Sequence, residues 1–186
     1  MEKRDLTLLL KRASGGDRAA QNELAPLVYD ALKSRAEAML RGERGAQSIQ
    51  PTILVNDAFM RLVDGATLDW QSRGHFFAMA STVMRRVLVE HARARHRLKR
   101  GGEVKKVDLD EALTVSAESD DDVLRLDEAL VRLAEIDPQQ AEIVTMRFFG
   151  GMSVEGIAEA LGLSKRTVER EWTMIKAWLR QELTSS

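Results

Sequence analysis

The stretch from Ser153 to Arg180 limits the possible folds more than any other part of this chain. Its apolar residues recur at helical spacing up to Gly162, which suits the left-handed conformation that ends a helix. Ser153 and Ser164 are good caps for the helices that would begin after them. The pattern predicts a helix-turn-helix with its turn at residues 162–164. The inward stripe of its second helix consists of Val168, Trp172, Ile175 and Leu179.

The outward face of that second helix begins with side chains that reach phosphates and base edges in DNA complexes. An ordinary helical hairpin with a solvated basic face is the alternative. Two residues favour the helix-turn-helix. Ala158 is small enough to let the two helices approach, and Val168 fills the space between them where they cross. The candidate DNA-binding residues are Lys165, Arg166, Thr167, Glu169, Arg170 and Thr173.

The composition is that of a soluble globular protein. With 186 residues, of which 44% are hydrophobic and 31% charged, the chain can form one or two small domains. It has no cysteine, and its three histidines lack the spacing of a metal site, so neither a metal nor a cofactor is expected. No apolar run approaches the roughly 20 residues of a membrane span. The expected location is the cytoplasm, with no membrane partner.

The first hundred residues predict a helical domain. Amphipathic patterns cover residues 6–13, 18–41, 51–64 and 75–100, and the last of them becomes strongly basic towards its end. A basic run can be a solvated surface or a nucleic-acid contact. A helix-turn-helix in the same chain favours the nucleic-acid contact, because phosphate neutralisation supplies much of the affinity for DNA.

The charge inverts after residue 102. Acidic residues between Asp108 and Asp122 have no basic residue among them, which predicts an extended linker. The alternative is that this segment folds back on the basic helix and competes with DNA. The predicted fold is therefore all-α, with two small helical domains at residues 1–100 and 123–186 and a flexible acidic linker at 101–122.

The order and spacing of these segments resemble the extracytoplasmic-function (ECF) class of bacterial RNA polymerase sigma factors over nearly the full length. Residues 136–180 resemble the domain that reads the −35 promoter element. LVNDAFMRL at residues 54–62 resembles the helix that binds the core polymerase clamp. Residues 76–95 resemble the segment that melts and holds the −10 element. The resemblance implies a region 2-like domain followed by a region 4-like domain.

The resemblance also implies which residues bind which partner. The candidate residues of the second helix would contact the −35 element, and Asn56, Asp57 and Arg61 would contact core polymerase. Single-stranded bases stack on aromatic faces while arginines follow the backbone, although two neighbouring phenylalanines are also suited to a core. The candidate −10 residues are Phe76, Phe77, Arg85, Arg86, Arg93 and Arg95.

The start of the predicted clamp-binding helix departs from the family pattern. The family usually has acidic residues there, whereas this chain has Gln50, Pro51, Thr52 and Ile53. Thr52 is a candidate phosphorylation site, because a phosphate would restore negative charge where the helix dipole favours it. A plain helix cap is the alternative.

The predicted function is promoter-specific transcription initiation with core RNA polymerase and promoter DNA as partners. An anti-sigma factor or a Ser/Thr kinase is a candidate regulatory partner. The sequence has no nucleophile–base pair, carboxylate dyad or phosphate-binding glycine loop, so the chain is not expected to be an enzyme. One alternative is a stand-alone helix-turn-helix regulator that binds palindromic DNA without polymerase. Another is a recombinase-like enzyme, which would need a strand-rich catalytic domain that the helical patterns do not predict.

Overall fold

The computed structural model describes residues 3–39, 49–64, 72–98 and 120–184, and in these ranges the chain forms helices and no strand. The all-α prediction is confirmed. The N-terminal helices are α1 (Lys3–Ser14), α2 (Arg18–Met39), α3 (Pro51–Asp64) and α4 (Arg73–Leu98). The C-terminal helices are α5 (Asp120–Ile136), α6 (Pro138–Val144), α7 (Val154–Leu161) and α8 (Lys165–Thr184).

The N-terminal helices pack in chain order, α1 on α2, α2 on α3 and α3 on α4. Gly16 has a positive φ of 87° and ends the turn after α1. The Asp17 carboxylate then accepts hydrogen bonds from the backbone N–H groups of Ala19 and Ala20, which caps α2 as the sequence predicts. Pro26 lies inside α2, which continues beyond it. The largest buried side chains of this half are Leu10, Leu32, Leu54, Phe76 and Met84.

The helix α6 passes directly into a π-helical turn, Thr145–Phe149. The turn ends where the Gly150 N–H donates to the Thr145 carbonyl five residues earlier, at 3.2 Å. Met146 and Phe149 point into the core from this turn. The sequence pattern predicted a continuous helix here, because apolar spacing does not distinguish one wide turn from the α-helix around it.

The helix α5 begins at Asp120, three residues before the predicted start of the C-terminal domain at residue 123. Its first turn contains three consecutive aspartates, and negative charge is favoured at a helix N-terminus. The Asp120 carboxylate also pairs with Arg95 of α4, and Asp121 lies 3.5 Å from His96 Nε2. The linker prediction is therefore wrong for residues 120–122. Residues 101–119 lie outside the described part of the chain.

The two halves pack against each other through α4, which contacts α5, the π-helical turn and α7. A Cβ built on Gly74 of α4 would lie 2.9 Å from the Ala160 Cα of α7. A Cβ on Gly150 would overlap the Ser81 hydroxyl and lie 2.9 Å from the Ser81 Cβ. The two halves therefore approach closely at two points. Gly74 lies against the backbone of Ala160, and Gly150 lies against the buried side chain of Ser81.

No helix in the described ranges is long and apolar enough to cross a membrane. The same ranges hold no group of three or more histidine, aspartate or glutamate residues arranged to bind a metal ion.

The turn between α7 and α8 requires glycine at position 162. Gly162 has a φ of 65° and a ψ of 28°, in the left-handed region that side chains with a Cβ rarely adopt. We expect Gly162→Ala to lower the free energy of unfolding by about 1 kcal/mol, measured by urea denaturation.

Gly156→Ala is the matched control, because Gly156 lies inside α7 and a Cβ there meets other atoms only at ordinary distances of 3.6 Å. This variant should be neutral or slightly stabilising, since alanine is the better helix former. Equal destabilisation by both variants would contradict the assignment of a left-handed requirement to Gly162.

Candidate nucleic-acid interface

The helix-turn-helix forms as predicted, with both serine caps in place. Ser153 Oγ accepts the Gly156 N–H at 3.2 Å, and Ser164 Oγ accepts the Thr167 N–H at 3.0 Å. The last turn of α7 closes through the Leu163 N–H, which donates to the Ala158 carbonyl at 2.9 Å. These local bonds fix the angle between α7 and α8.

The inward stripe of α8 sets which of its faces meets solvent. Val168, Ile175 and Leu179 are buried, and Trp172 is half-buried against the core. The Arg147 guanidinium lies 5.9 Å from the centre of the Trp172 ring, within cation–π range. Because one side of α8 is held in this way, the opposite side points away from the protein.

Most of the predicted DNA-binding side chains of α8 line one shallow depression. Arg170 is 69% exposed there. Ser164 also lines it, and it was missed as a site residue because its capping role alone explained its presence in the sequence. Lys165 lies beside the depression rather than in it. The lining residues are Ser164, Arg166, Thr167, Glu169, Arg170 and Thr173.

Carboxylates surround the positive charges of this face. Lys165 Nζ lies 2.5 Å from Glu155 of α7 and 3.9 Å from Glu169. Arg170 pairs with Glu171 at 3.0 Å, and Glu171 also accepts a hydrogen bond from the Gln140 amide. The described residues provide no ion pair for Arg166. The ion pairs therefore hold Lys165 and Arg170 in defined positions at the solvent surface.

The hydrogen bond from Lys165 lowers the pKa of Glu155 to about 2, and the lysine charge adds to the effect. The same contact raises the pKa of Lys165. A carboxylate with a depressed pKa stabilises the fold above its ordinary value of 4.5, and this contribution is lost as the pH falls towards 2.

The three predicted polymerase-binding residues lie on the outer side of α3, and each is held by a neighbouring helix. The Tyr29 hydroxyl of α2 donates to the Asn56 amide oxygen at 2.9 Å. Two residues of α4 hold the others. Asp57 lies 3.0 Å from His91 Nε2, and Arg61 forms a two-bond pair with Glu90 at 2.5 and 3.0 Å. The side chains are therefore orientated while they remain partly exposed.

Thr52 is exposed in the first turn of α3, and that turn contains no acidic residue. The hydroxyl is therefore accessible at a helix N-terminus without a competing carboxylate on the same turn.

The structure brings the predicted −10 residues together along α4, but it leaves only some of them open to solvent. Phe76 is 1% exposed and Phe77 is 4% exposed, so both lie in the core in this arrangement. Arg85, Arg93 and Arg95 pair with carboxylates of α5. Arg86 and Arg93 are the exposed members of the predicted −10 set.

Two arginines that the sequence did not single out lie against Phe77. The Arg35 guanidinium of α2 is 4.0 Å from the centre of the Phe77 ring, and that of Arg73 is 5.3 Å away. Burial, and next the nearby charge of Arg73, lower the pKa of Arg35 to about 10. No local pattern could have indicated the contact with Arg35, because Arg35 lies far from Arg73 and Phe77 in the sequence.

A comparison with protein families finds one whose model, described as ECF sigma factor, matches residues 3–185. Comparisons with curated proteins and with solved structures give no match.

Replacing Lys165 by methionine tests the ion pair at the start of α8. Without the ammonium group, we expect the pKa of Glu155 to rise from about 2 towards 4.5, followed by NMR titration of its side-chain carboxyl group. Arg166→Met is the control, since it removes a neighbouring charge that does not pair with Glu155. A Glu155 pKa that stays near 2 in the Lys165 variant would show that another group sets it.

Proposed function

The chain belongs to the ECF sigma factor family, whose role lies in transcription initiation and which is not an enzyme family, and on that premise we propose that it binds core RNA polymerase and directs it to specific promoters. In this proposal the N-terminal domain of α1–α4 contacts polymerase and the −10 element. The C-terminal domain, which begins at Asp120, reads the −35 element.

The observation that carries the proposal is the exposed face of α8. It presents Arg166, Thr167 and Arg170 at the first turns of a helix whose other face is buried, which suits insertion into a major groove. Arginine forms bidentate hydrogen bonds with guanine, and threonine contacts either base edges or phosphates. Glu169 can accept a hydrogen bond from cytosine, so the face offers both donors and acceptors.

The outer face of α3 supports a protein partner. Asn56, Asp57 and Arg61 combine an amide, an acid and a base within two helical turns, and each is orientated by a neighbour. Exposed Ile53 and Met60 lie on the same side of the helix. A mixed polar and apolar surface of this kind suits binding to a complementary protein, which we propose is the polymerase clamp.

Run-off transcription tests the proposal directly. Purified bacterial core polymerase is incubated with fragmented genomic DNA of the organism that encodes the chain, with and without the protein. We expect discrete new transcripts that start downstream of a shared two-part motif. A protein that does not co-elute with core polymerase, yet binds a palindromic DNA site alone, would instead be a stand-alone regulator.

Arg166→Ala and Arg170→Ala should each weaken the binding of the polymerase–protein complex to such a promoter by roughly tenfold, because each removes a charged contact worth about 1–3 kcal/mol. Where the lost side chain contacted particular bases of the −35 motif, substituting those bases should reduce the affinity of the variant less than that of the wild-type protein. Fluorescence anisotropy measures both effects.

Arg18→Ala is the control for these two variants, since Arg18 is an exposed arginine at the start of α2, in the other half of the chain. It removes the same charge and should leave affinity unchanged. Equal losses in all three variants would indicate a general charge effect rather than a reading face on α8.

We also propose that Thr52 is phosphorylated by a Ser/Thr kinase to complete the polymerase-binding surface. Its support is the exposed hydroxyl on an N-terminal turn without an acidic residue. We expect Thr52→Ala to lose reporter transcription in cells and Thr52→Asp to retain it, with Ser34→Ala as the control for loss of an exposed hydroxyl. Normal transcription by the Thr52→Ala variant under every inducing condition would contradict the phosphorylation proposal.

A further inference from the structure

A cavity of about 170 Å³ is lined by α2, by the start of α4 and by the first turns of α7. Arg35 of α2 and Arg73 of α4 contribute its positive charges. We propose that this cavity binds a small organic anion that carries one carboxylate group. The site goes beyond the proposed function, because it does not depend on the assignment of any helix to DNA or polymerase.

The two arginines lie around one aromatic ring. The Arg35 guanidinium is 4.0 Å from the centre of the Phe77 ring, and that of Arg73 is 5.3 Å from the same centre. Arg35 also donates a hydrogen bond to the Gly150 carbonyl. These contacts hold the two guanidinium groups near each other before a ligand arrives, which lowers the entropy cost of binding.

The two arginines lack a counter-ion among the described residues. Neither forms an ion pair with an aspartate or glutamate in that part of the chain. Burial first, and the nearby Arg73 charge second, lower the pKa of Arg35 to about 10. Half-buried like charges without a counter-ion are unfavourable, and an anion bound beside them would reduce this cost. This end of the cavity therefore favours a negatively charged ligand.

The other charges around the cavity limit how much negative charge the ligand can carry. Glu155 and Glu159 also line the cavity, and Glu155 is paired with Lys165 at 2.5 Å. Two arginines, two glutamates and this lysine leave one net positive charge. A carboxylate matches that charge, whereas a phosphate group with nearly two negative charges at neutral pH would exceed it.

The shape and chemistry of the cavity also suit a small carboxylate. The planar guanidinium group of arginine matches the two oxygens of a carboxylate and can bind both at once. Phe77 and Met152 supply apolar lining for the carbon atoms of the ligand. The volume is well below that of a pocket for a drug-sized molecule, so the ligand has only a few carbon atoms beside its carboxylate.

Titration of the full-length protein with sodium propionate tests the site. Two-dimensional NMR follows the arginine Nε–H signals, and sodium chloride keeps the ionic strength constant. We expect saturable shifts of the Arg35 and Arg73 signals, because a carboxylate accepts hydrogen bonds from guanidinium groups. Propionamide, which has nearly the same shape without the charge, should give no saturable shift.

Arg73→Met should weaken propionate binding by roughly tenfold, measured on the Arg35 signal, because it removes a charge-assisted hydrogen bond. Arg18→Met is the matched control, since Arg18 is an exposed arginine of α2 outside the cavity. It should leave the affinity unchanged. Arg35→Met should also weaken binding, but it removes the hydrogen bond to Gly150 as well, so Arg73→Met decides the test if Arg35→Met does not fold.

Glu159→Gln tests the sign of the ligand charge at the other side of the balance. Glu159 is exposed and lines the cavity, so its carboxylate repels an anion bound there. We expect Glu159→Gln to bind propionate about twofold more tightly than the wild-type protein. Glu135→Gln, the same change at an exposed position of α5, should leave the affinity unchanged. Weaker binding by Glu159→Gln would contradict the assignment of a simple anion.

Three results would overturn the inference. The first is a shift that grows linearly with propionate without saturating, or that sodium chloride alone reproduces. The second is unchanged propionate affinity in the Arg73→Met variant. The third is tighter saturable binding of inorganic phosphate than of propionate, which would contradict the assignment to a single carboxylate. Run-off transcription tests the proposed function independently, because none of these titrations contains DNA or polymerase.

Discussion

The packing of α4 against both halves of the chain is the interaction on which the rest of the structure depends. One side of this helix completes the N-terminal core through Phe76, Met84 and Val87, and another side receives α5, the π-helical turn and α7. The same helix orientates the polymerase-binding candidates through His91 and Glu90. A change in how the C-terminal domain lies on α4 therefore acts on a helix that is also part of the proposed polymerase surface.

The elements of the fold that depend on nearby residues could be predicted from the sequence. Ser153, Gly162 and Ser164 act on the backbone within four residues of themselves, so their pattern predicts the helix-turn-helix together with its caps and its left-handed residue. The outward face of α8 follows from the buried stripe by helical geometry alone. Asp17 capped α2 for the same local reason.

The parts of the site that join distant segments could not be predicted. The pair between Arg85 and Asp127 spans 42 residues, and the contact of Arg35 with Gly150 spans 115, so neither leaves a periodic signal. The acidic run was interpreted by composition as an extended linker, although its last three aspartates begin α5 beside the arginines of α4. Composition reports the charge of a segment but not which charges of the folded chain it meets.

The exposed and the shielded ion pairs of the structure differ in the free energy needed to separate them. Lys165 with Glu155 and Arg61 with Glu90 are exposed, and exposed pairs contribute little to stability, so these side chains can exchange partners at little cost. Arg85 with Asp127 is shielded from water, and separating a shielded pair exposes a charge that the fold had already desolvated. Separating the two halves would have to break this pair and the close packing at Gly74 and Gly150 together. A partner that binds α3 can act on the contact between α4 and the C-terminal helices, because α3 and α4 are joined by exposed pairs and by their common core.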